Sequence, residues 1–420
     1  VSANTEDWPQ WRGPGSQGVS FEKNLPIEWS PTKNIKWKTP IAGRGHSSPI
    51  VLGNRIFLTT SIEGPAISGA RAVKHIINGQ EVKFPDTVGA DHGYTLKLLC
   101  INSETGAIVW DRTAYEGRMF DDRQRRNTYA SSTPATDGRY VYAFFGSEGF
   151  YCYDFDGNQI WKVSLGGLAK MGYGEGTSPV LFENLVVVQL DTELGEKSYI
   201  TAFDKNSGKQ VWKTSRQNRA TWSTPVLIRG PKRTELIASG AESVVSYDPA
   251  TGKELWRAEG LVSHAIPTPL AGDDMVFVYA GSNDKRGYAV RLGGSGDISK
   301  SDRVLWRHDK GTAYVASGIL YEGNIYVLTD SGILTCLDEK TGAVRYEGGR
   351  VPVPTLFFAS PVAFEGKILL TSEDGDTFVI KAGSKYEILG TNSIGEPVYA
   401  SPAIANGRIF IRGERNLYCI

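Results

Sequence analysis

A short phrase, Ser-Pro or Thr-Pro opening an apolar segment, recurs along the chain and constrains its fold more than any other feature. Seven prolines and one degenerate glycine mark the copies, at Pro49, Pro134, Pro179, Pro225, Pro269, Gly318, Pro361 and Pro402. The first interval is 85 residues, and the other six lie between 41 and 49 residues. A period in the forties with four short strands per copy is typical of propeller blades. The sequence therefore predicts an all-β, eight-bladed β-propeller.

Each copy contains the same series of strands and turns. In the first copy, SSPIVL, RIFLTT, LKLLCIN and AIVW are predicted as strands A to D, because they are rich in β-branched and aromatic residues. The C–D turn recurs as NSETG, DKNSG, DPATG and DEKTG. Asp or Asn caps such a turn and Gly supplies its positive φ. We expect the aromatic residue that closes strand D to pack between blades; these residues are Trp110, Trp161, Trp212, Trp256, Trp306 and Tyr346.

The two ends of the chain are expected to meet in one blade. The last copy, Tyr399 to Ile420, holds only three strands, whereas Asn34–Ile41 is a strand outside any copy. We therefore predict that this N-terminal strand closes a single propeller formed by residues 34–420. Residues 1–33 are expected to form an extended arm on its surface. A closed ring has no free edge that requires a second copy, so we expect a monomer.

Charge and hydropathy exclude several classes of protein. The chain has 46 Lys plus Arg and 46 Asp plus Glu, so it lacks the basic balance expected of a nucleic-acid-binding protein. No run of 18 apolar residues is present, so we expect no transmembrane segment. The chain begins at Val1 without a visible signal peptide, and we interpret it as a mature or trimmed form.

The four cysteines share one position late in strand C, where other copies carry Ala202 or Ser246. They are Cys100, Cys152, Cys336 and Cys419. This position favours a small buried residue, and equivalent positions on different blades are too far apart for a disulfide. We expect structural thiols rather than disulfides or metal ligands.

One face of the propeller is predicted to carry most of the long loops. The A–B and C–D turns are short, whereas the D–A and B–C connections hold the extra length. The long segments are Ser61–Thr95, Thr113–Thr128, Ser164–Gly176, Asp191–Ser198 and Asn283–Gly287. Binding and catalytic residues concentrate on such loops.

The residues just before each strand A are expected to surround the mouth of the central channel on that face. They are Arg44, His46, Tyr129, Glu175, Trp222, His264, Tyr314, Phe357, Phe358 and Tyr399. An aromatic pocket with a few polar groups suits a flat ligand or a peptide. The structural alternatives are hydrogen-bonded histidines, a solvated Glu175 and a Trp222 that only packs in the channel.

Two of the loops carry clusters of mixed charge. The first cluster holds Arg71, Lys74, His75, Asp91 and His92, and the second holds Asp121, Asp122, Arg123, Arg125 and Arg126. Such clusters are either solvated surfaces or anion clamps in which Arg binds carboxylates in bidentate fashion. The Asp91–His92 pair is also a candidate for metal binding.

The repeats resemble those of the PQQ-like (quinoprotein-type) propeller family. The phrase DPATGKELW matches its tryptophan docking motif, and WPQWRGP, GHSSPIV and NTYASSTPATDGRYVYAFFG resemble BamB-like secreted bacterial repeat proteins. The resemblance covers residues 34–420. It implies a periplasmic or extracellular propeller whose loop-rich face binds a protein partner or a small ligand, and this interpretation requires no cofactor.

The same resemblance implies one enzymatic alternative, a PQQ- and calcium-dependent dehydrogenase. Such enzymes hold the quinone between a tryptophan and a disulfide of adjacent cysteines. Glu175 and Trp222 resemble the calcium-binding Glu and the stacking Trp in position, but this chain has no adjacent cysteines and no Asp that matches the base. Under this alternative Arg123, Arg125 or Arg126 would pair with the quinone carboxylates. His46 or His264 would accept the proton.

A third alternative is a metal-dependent lyase or hydrolase. It would use His46, His264 and the Asp91–His92 pair, with Glu175 and His92 as candidate metal ligands. The sequence contains no His-Glu-x-x-His, Gly-x-Ser-x-Gly or P-loop motif.

Overall fold

The computed structural model describes residues 7–70, 73–77, 79–168, 172–281 and 284–420. Eight antiparallel sheets with four strands each form the blades of a propeller. Strand A of each blade contributes its start to a central channel, and strands B, C and D follow outward in hydrogen-bonded order. The predicted all-β, eight-bladed propeller is confirmed.

Blades 1 to 4 follow one another along the chain, each with its strands in the order A to D. Blade 1 is Ile50–Leu52, Arg55–Ala66, His92–Asn102 and Ile108–Arg118. Blade 2 is Ala135–Thr136, Tyr140–Phe144, Phe150–Asp154 and Gln159–Val163. Blade 3 is Val180–Phe182, Leu185–Leu190, Ser198–Asp204 and Gln210–Arg216. Blade 4 is Val226–Arg229, Thr234–Ser239, Ser243–Tyr247 and Glu254–Glu259.

Blades 5 to 8 follow the same order. Blade 5 is Leu270–Ala271, Met275–Ala280, Arg286–Arg291 and Val304–Arg307. Blade 6 is Ile319–Tyr321, Asn324–Leu328, Ile333–Asp338 and Val344–Arg350. Blade 7 is Val362–Phe364, Lys367–Thr371, Asp376–Lys381 and Ile388–Ser393. Blade 8 is Ala403–Ala405, Arg408–Arg412 and Asn416–Cys419, completed by Trp37–Pro40.

The N-terminal strand closes the ring as predicted. Trp37–Pro40 pairs antiparallel with Asn416–Cys419, and Trp37 lies opposite Cys419. The first and last parts of the chain therefore share blade 8, which leaves no gap between blades 7 and 1.

Shorter elements decorate the blades. A hairpin of His75–Ile77 and Gln80–Val82 and a pair of Thr87–Val88 with Arg123–Gln124 lie in the long connections. Val19–Ser20 adds in parallel to strand A of blade 7, and Gly296–Asp297 adds in parallel to strand D of blade 4. Short 3-10 helices occur at Pro14–Ser16, Gly146–Glu148 and Gly195–Lys197.

The Ser-Pro and Thr-Pro repeat forms what we call the hydroxyl ring, the eight residues that precede each strand-A proline or its glycine equivalent. They are Ser48, Thr133, Ser178, Thr224, Thr268, Ser317, Ser360 and Ser401. In six of them the backbone N–H donates to the side-chain oxygen of the ring residue in the next blade, at 2.9–3.0 Å. Pro holds the preceding residue in an extended conformation, which directs its N–H to one neighbouring blade. The repeat thus joins six of the eight blades to the next blade.

Replacing Thr133 by valine is expected to lower the free energy of unfolding by about 1–3 kcal/mol, because the buried Ser48 N–H loses its acceptor while the shape is kept. The matched control is Ser48→Ala, since the buried Ser48 hydroxyl has no hydrogen-bond partner among the described residues. Chemical denaturation of both variants provides the measurement. Equal losses in the two variants would contradict a linking role for the hydroxyl.

The aromatic residues of strand D link the blades at the face that carries the C–D turns. Trp110 in blade 1 donates its indole N–H to the carbonyl of Phe155 in the C–D turn of blade 2, at 2.9 Å. A Cβ atom at Gly157, which has φ of 82°, would lie 2.9 Å from this ring, so the turn requires glycine. Four further indoles make the same bond to the next blade, from Trp161, Trp212, Trp306 and Trp37. The predicted packing between blades is confirmed for Trp110, Trp161, Trp212 and Trp306.

Blade 4 departs from this pattern. Its Trp256 donates to Glu235 within the same blade, and its outer edge is covered by Gly296–Asp297. That strand belongs to the C–D connection of blade 5, residues 292–303, so the expectation of uniformly short C–D turns is wrong at this position. The four cysteines are buried free thiols, as predicted.

The N-terminal arm crosses the channel at the face that carries the A–B turns. Trp8 pairs with Val51 at the end of strand A in blade 1, and the Trp11 indole donates to Thr268 Oγ1 in blade 5 at 2.9 Å. Arg12 donates to the carbonyl of Gly318 in blade 6. Trp8 and Arg12 are each only 1% exposed, so the arm packs closely against the propeller.

Candidate functional site

A cavity of about 570 Å³ occupies the channel at the face that carries the long D–A and B–C connections, which we call the loop-rich face. Its volume falls within the range of small-ligand pockets. Residues from all eight D–A connections or strand-A starts contribute to its wall, beginning with His46 in blade 1 and ending with Tyr399 and Ser401 in blade 8. The ring of eight blades therefore encloses the cavity.

The base of the cavity is polar and is covered by the arm. Trp11 lines it from below, and six members of the hydroxyl ring line it from the side; these are Ser178, Thr224, Thr268, Ser317, Ser360 and Ser401. Each of the six is 2–3% exposed. Each hydroxyl oxygen that accepts an N–H retains its own O–H for donation.

The upper wall is aromatic. Tyr173 and Trp222 lie with ring centroids 5.8 Å apart, and Trp222 is fixed by an indole hydrogen bond to the Gly174 carbonyl at 2.8 Å. On the other side His46 stacks on Tyr399 at 4.5 Å, and Phe358 lies 5.8 Å from Tyr399. These rings leave flat apolar surfaces facing the cavity.

The charged groups that line the cavity are mostly acidic. Among the residues that the structure describes, they are Asp86, Glu175 and Asp330, with Arg126 as the cation. Arg126 lies 3.7 Å from Glu373 and above the ring of Phe358, so part of its charge is already compensated. Asp330 accepts the backbone N–H groups of Tyr314 and Val315 at 3.3 and 3.2 Å, and burial raises the pKa of this carboxyl group.

His46 is neutral at physiological pH. Desolvation is the main cause, and the nearby Arg412, Arg44 and Arg123 add to it, so that the pKa of His46 falls from 6.5 to about 3. The side chain therefore contributes a ring and a neutral imidazole to the cavity rather than a cation.

We expect this histidine to make the protein sensitive to acid. Because the folded-state pKa lies below the unfolded value, the unfolded chain binds more protons between pH 6.5 and about 3, and stability contributed by neutral His46 is lost as the pH falls through that window. Denaturation at a series of pH values should show that His46→Phe loses less stability on acidification than the wild type. Parallel curves for the two proteins would contradict the shift.

The structure brings together seven of the residues predicted for the site. His46, Glu175, Trp222, Arg126, Tyr314, Phe358 and Tyr399 all line the cavity. Glu175 accepts the backbone N–H groups of Gly176 and Thr177 at 2.9 Å. This carboxylate therefore helps to hold the entry to strand A of blade 3.

Arg123 and Tyr129 do not lie at the mouth. The Arg123 guanidinium is 6% exposed and donates to the backbone carbonyls of Gln124, Arg125 and Asn127. Tyr129 packs under it with its hydroxyl bonded to the Asp121 carbonyl at 2.8 Å. The expected carboxylate clamp is wrong for Arg123, because its donors fold its own loop.

Three more predicted residues lie outside the cavity wall. Arg44 pairs with Glu414 at 3.3 Å on the surface, and His264 stacks behind Trp222 with ring centroids 5.9 Å apart. His92 bonds to its neighbour Asp91 at 2.9 Å. Within the described ranges, no group of three or more acidic, His or Cys side chains is arranged to hold a metal ion.

The loops also differ from their predicted extents. Strand B of blade 1 continues to Ala66 and its strand C begins at His92, so the connection is shorter than Ser61–Thr95. Strand D continues to Arg118, which shortens Thr113–Thr128 in the same way. The predicted candidates Arg71 and Asn283 lie outside the described residues.

Sequence analysis missed several residues of the cavity wall. Trp11 lies in the arm, Asp330 in a short B–C turn, and Asp86 and Tyr173 in irregular parts of long connections. Only Asp330 had a usable signal, since the turn Asp330-Ser331-Gly332 follows a buried strand on the loop-rich face.

The residues present do not fit a PQQ–calcium pair. The quinone carries several carboxylates, whereas the described part of the cavity wall has Arg126 as its cation beside three carboxylates. The cysteines are separate and buried on different blades. Among the described side chains no group of three or more His, Cys, Asp or Glu residues is gathered around Glu175 to hold a metal ion. We therefore derive no reaction step through a quinone.

Comparison with known proteins supports the same class of fold. Residues 196–349 match the family model described as outer membrane protein assembly factor BamB. BamB of Bordetella pertussis is 27% identical over 193 residues, which are 45% of this chain and 44% of that protein. BamB of Escherichia coli K12 is 24% identical over 195 residues, 44% of this chain and 46% of that protein. The matches thus span less than half the length of these relatives.

Solved structures extend the similarity of fold to nearly the whole chain. BamB of Moraxella catarrhalis superposes with a TM-score of 0.56 at 15% identity, covering 85% of this chain and 97% of the other. A europium-containing methanol dehydrogenase gives a TM-score of 0.68 at 11% identity, covering 98% and 91%. The quinohemoprotein alcohol dehydrogenase of Comamonas testosteroni gives 0.61 at 11% identity, covering 100% and 81%.

The repeats and the ring they build define an eight-bladed β-propeller. The family model matches residues 196–349 and the curated relatives match less than half of the chain, so this part of the chain is similar to BamB. The predicted resemblance is confirmed.

Proposed function

We propose that this protein is a periplasmic interaction module that binds a protein partner on its loop-rich face, with a segment of the partner entering the cavity. One observation carries the proposal. The arm covers the channel at one end with Trp11, and the other end forms an aromatic cavity among the long connections. A cavity of this form accepts a ligand from the loop-rich side.

Apolar side chains around that face favour a macromolecule as the ligand. Ile67 and Ile76 lie in the B–C connection of blade 1 and Phe120 lies in the connection from blade 1 to blade 2; they are 37%, 42% and 50% exposed. Val353 and Leu356 precede blade 7 and are 46% and 38% exposed. Exposed apolar groups around the mouth of a pocket are typical of protein interfaces.

The relatives support the proposed type of partner and compartment. The curated proteins matched by the chain carry the name outer membrane protein assembly factor. None of the helices in the described part of the chain has the length and apolarity required to traverse a bilayer. We propose a location on the periplasmic side, which fractionation of cells of the source organism tests separately from binding.

Site-specific photo-crosslinking in those cells tests the proposed interface. A photoreactive amino acid at Phe120 or Leu356 is expected to give a covalent adduct with one envelope protein. The same group at Asn206, an exposed position in a C–D turn on the opposite face, is the matched control. Adducts of equal yield from Asn206, or none from either loop-rich position, would overturn the proposal.

Substitution supplies the second part of the test. The double variant Phe120→Asp and Leu356→Asp is expected to reduce recovery of that envelope protein by about tenfold or more, since charges in the apolar part of an interface are strongly unfavourable. Both side chains are at least 38% exposed, so the fold should survive. An unchanged melting temperature confirms this.

A further inference from the structure

We infer that the cavity binds a positively charged group, an ammonium or guanidinium attached to a backbone carbonyl, as in a lysine or arginine of the partner segment. The inference rests on the proposed function, because it specifies which side chain of the partner enters. It differs from the anion clamp that the arginine-rich loop suggested. Three independent features of the cavity support it.

The first feature is the balance of charge. Asp86, Glu175 and Asp330 line the cavity, and a fourth carboxylate, Glu373, stands beside Arg126 at 3.7 Å. His46 carries no charge at neutral pH, since burial holds its pKa at about 3. The described part of the cavity wall therefore carries more acidic than basic side chains, which attract cations and repel carboxylates.

The second feature is the aromatic wall. Tyr173, Trp222, Tyr314, Phe358 and Tyr399 all face the cavity. The faces of such rings carry negative electrostatic potential and attract ammonium and guanidinium groups. The protein already uses this contact, because the Arg126 guanidinium lies 5.9 Å from the centre of the Phe358 ring. An incoming cation would meet rings and carboxylates together.

The third feature is the base, where the hydroxyl ring offers donors. The Ser178, Ser360 and Ser401 oxygens each accept an N–H from the neighbouring blade at 2.9–3.0 Å. Their O–H groups have no acceptor among the described residues, although each side chain is at least 97% buried and lines the cavity. Hydroxyl donors directed into a cavity bind oxygen acceptors. A carbonyl beside the cationic side chain meets this requirement.

Titration with small probes of the purified full chain tests the inference. Trp11 and Trp222 line the cavity, so their fluorescence reports occupancy. Nα-acetyl-lysine amide is expected to bind saturably, and the neutral isostere Nα-acetyl-norleucine amide about tenfold more weakly, since the isostere cannot pair with the carboxylates. Nα-acetyl-glutamate amide is expected not to bind. Butylammonium carries the cation but lacks the carbonyl, so it distinguishes a peptide ligand from a free amine. If butylammonium and Nα-acetyl-lysine amide bind with equal affinity, the ligand is a small amine and not a peptide.

Charge variants give effects of opposite sign. Asp330→Asn, Glu175→Gln and Asp86→Asn are each expected to weaken binding of the lysine probe. The loss is expected to be about tenfold for Asp330→Asn and Glu175→Gln, since both side chains are half-buried. Arg126→Gln is expected to strengthen it, because a competing cation is removed. Asp302→Asn, an exposed carboxylate in the C–D connection of blade 5, is the matched control and should change nothing. The exposed Asp86 keeps the test valid if a buried variant misfolds.

Equal binding of the norleucine and lysine probes would overturn the inference, and so would saturable micromolar binding of PQQ with Ca²⁺. The outcome is separable from the proposed function. If crosslinks from Phe120 and Leu356 persist while the charge variants bind the lysine probe normally, the partner-binding face stands and the cation site fails. If the lysine probe behaves as expected but no crosslink forms, the cation site stands and the protein partner fails.

Discussion

Replacing Trp8 by alanine is expected to lower the free energy of unfolding by about 3–5 kcal/mol, the loss typical of a buried tryptophan. The side chain is 1% exposed and belongs to the apolar core shared by blades 7, 8 and 1. Its backbone exchanges two hydrogen bonds of 2.8 Å with Val51. A Cβ atom at Gly13 would lie within 2.7 Å of three atoms of its indole ring, so the turn of the arm is built around it.

Equilibrium urea denaturation of the full chain measures this effect. The matched control is Phe21→Ala in the same arm, where the ring is 66% exposed and the expected change is within about 0.5 kcal/mol. If Trp8→Ala costs no more than Phe21→Ala, the arm is not part of the cooperative fold. A large loss limited to Trp8→Ala would show that the cover of the channel base is built into the core.

The architecture could be predicted from the sequence because its signals are local and repeated. The Ser-Pro and Thr-Pro phrases specify the hydroxyl ring, and Trp110 and its equivalents specify contacts with the next blade. Each signal recurs with the blade, so an imperfect copy such as Gly318 did not obscure the count. Closure by Trp37–Pro40 followed from a missing fourth strand in the last copy.

The cavity was less predictable because its character depends on side chains that do not repeat. Arg123 and Arg126 are three residues apart, yet Arg123 folds its own loop and Arg126 faces the cavity. Trp11 lies at the channel base because of the path of the N-terminal arm, which is not part of any repeat. The acidic lining comes from Asp86 and Asp330 in unrelated connections, so the sign of its charge emerges only in three dimensions.

Removing the carboxylate of Asp191 is expected to produce the other large loss, about 3–5 kcal/mol for Asp191→Ala, because a buried cation is left unpaired. Asp191 and Arg216 are both 0% exposed in their side chains, and Oδ1 accepts the Arg216 Nε–H at 2.7 Å. Oδ2 accepts from Gln189 at 2.8 Å and from the Thr221 hydroxyl at 2.6 Å. Thr221 precedes Trp222, so the network also positions one wall of the cavity.

A double-mutant cycle with Arg216→Met separates the charge from the packing. Because a buried pair replaced by apolar side chains is often neutral, Asp191→Ala with Arg216→Met should recover most of the stability lost in Asp191→Ala. The matched control is Glu387→Ala, which breaks the exposed pair with Lys381 at 3.0 Å and should cost less than about 1 kcal/mol. If the double variant is as unstable as Asp191→Ala, the loss comes from the hydrogen bonds to Gln189 and Thr221. In that case Trp222 fluorescence should be altered equally in Asp191→Ala and in the double variant, since both lack the hydrogen bond between Asp191 and Thr221.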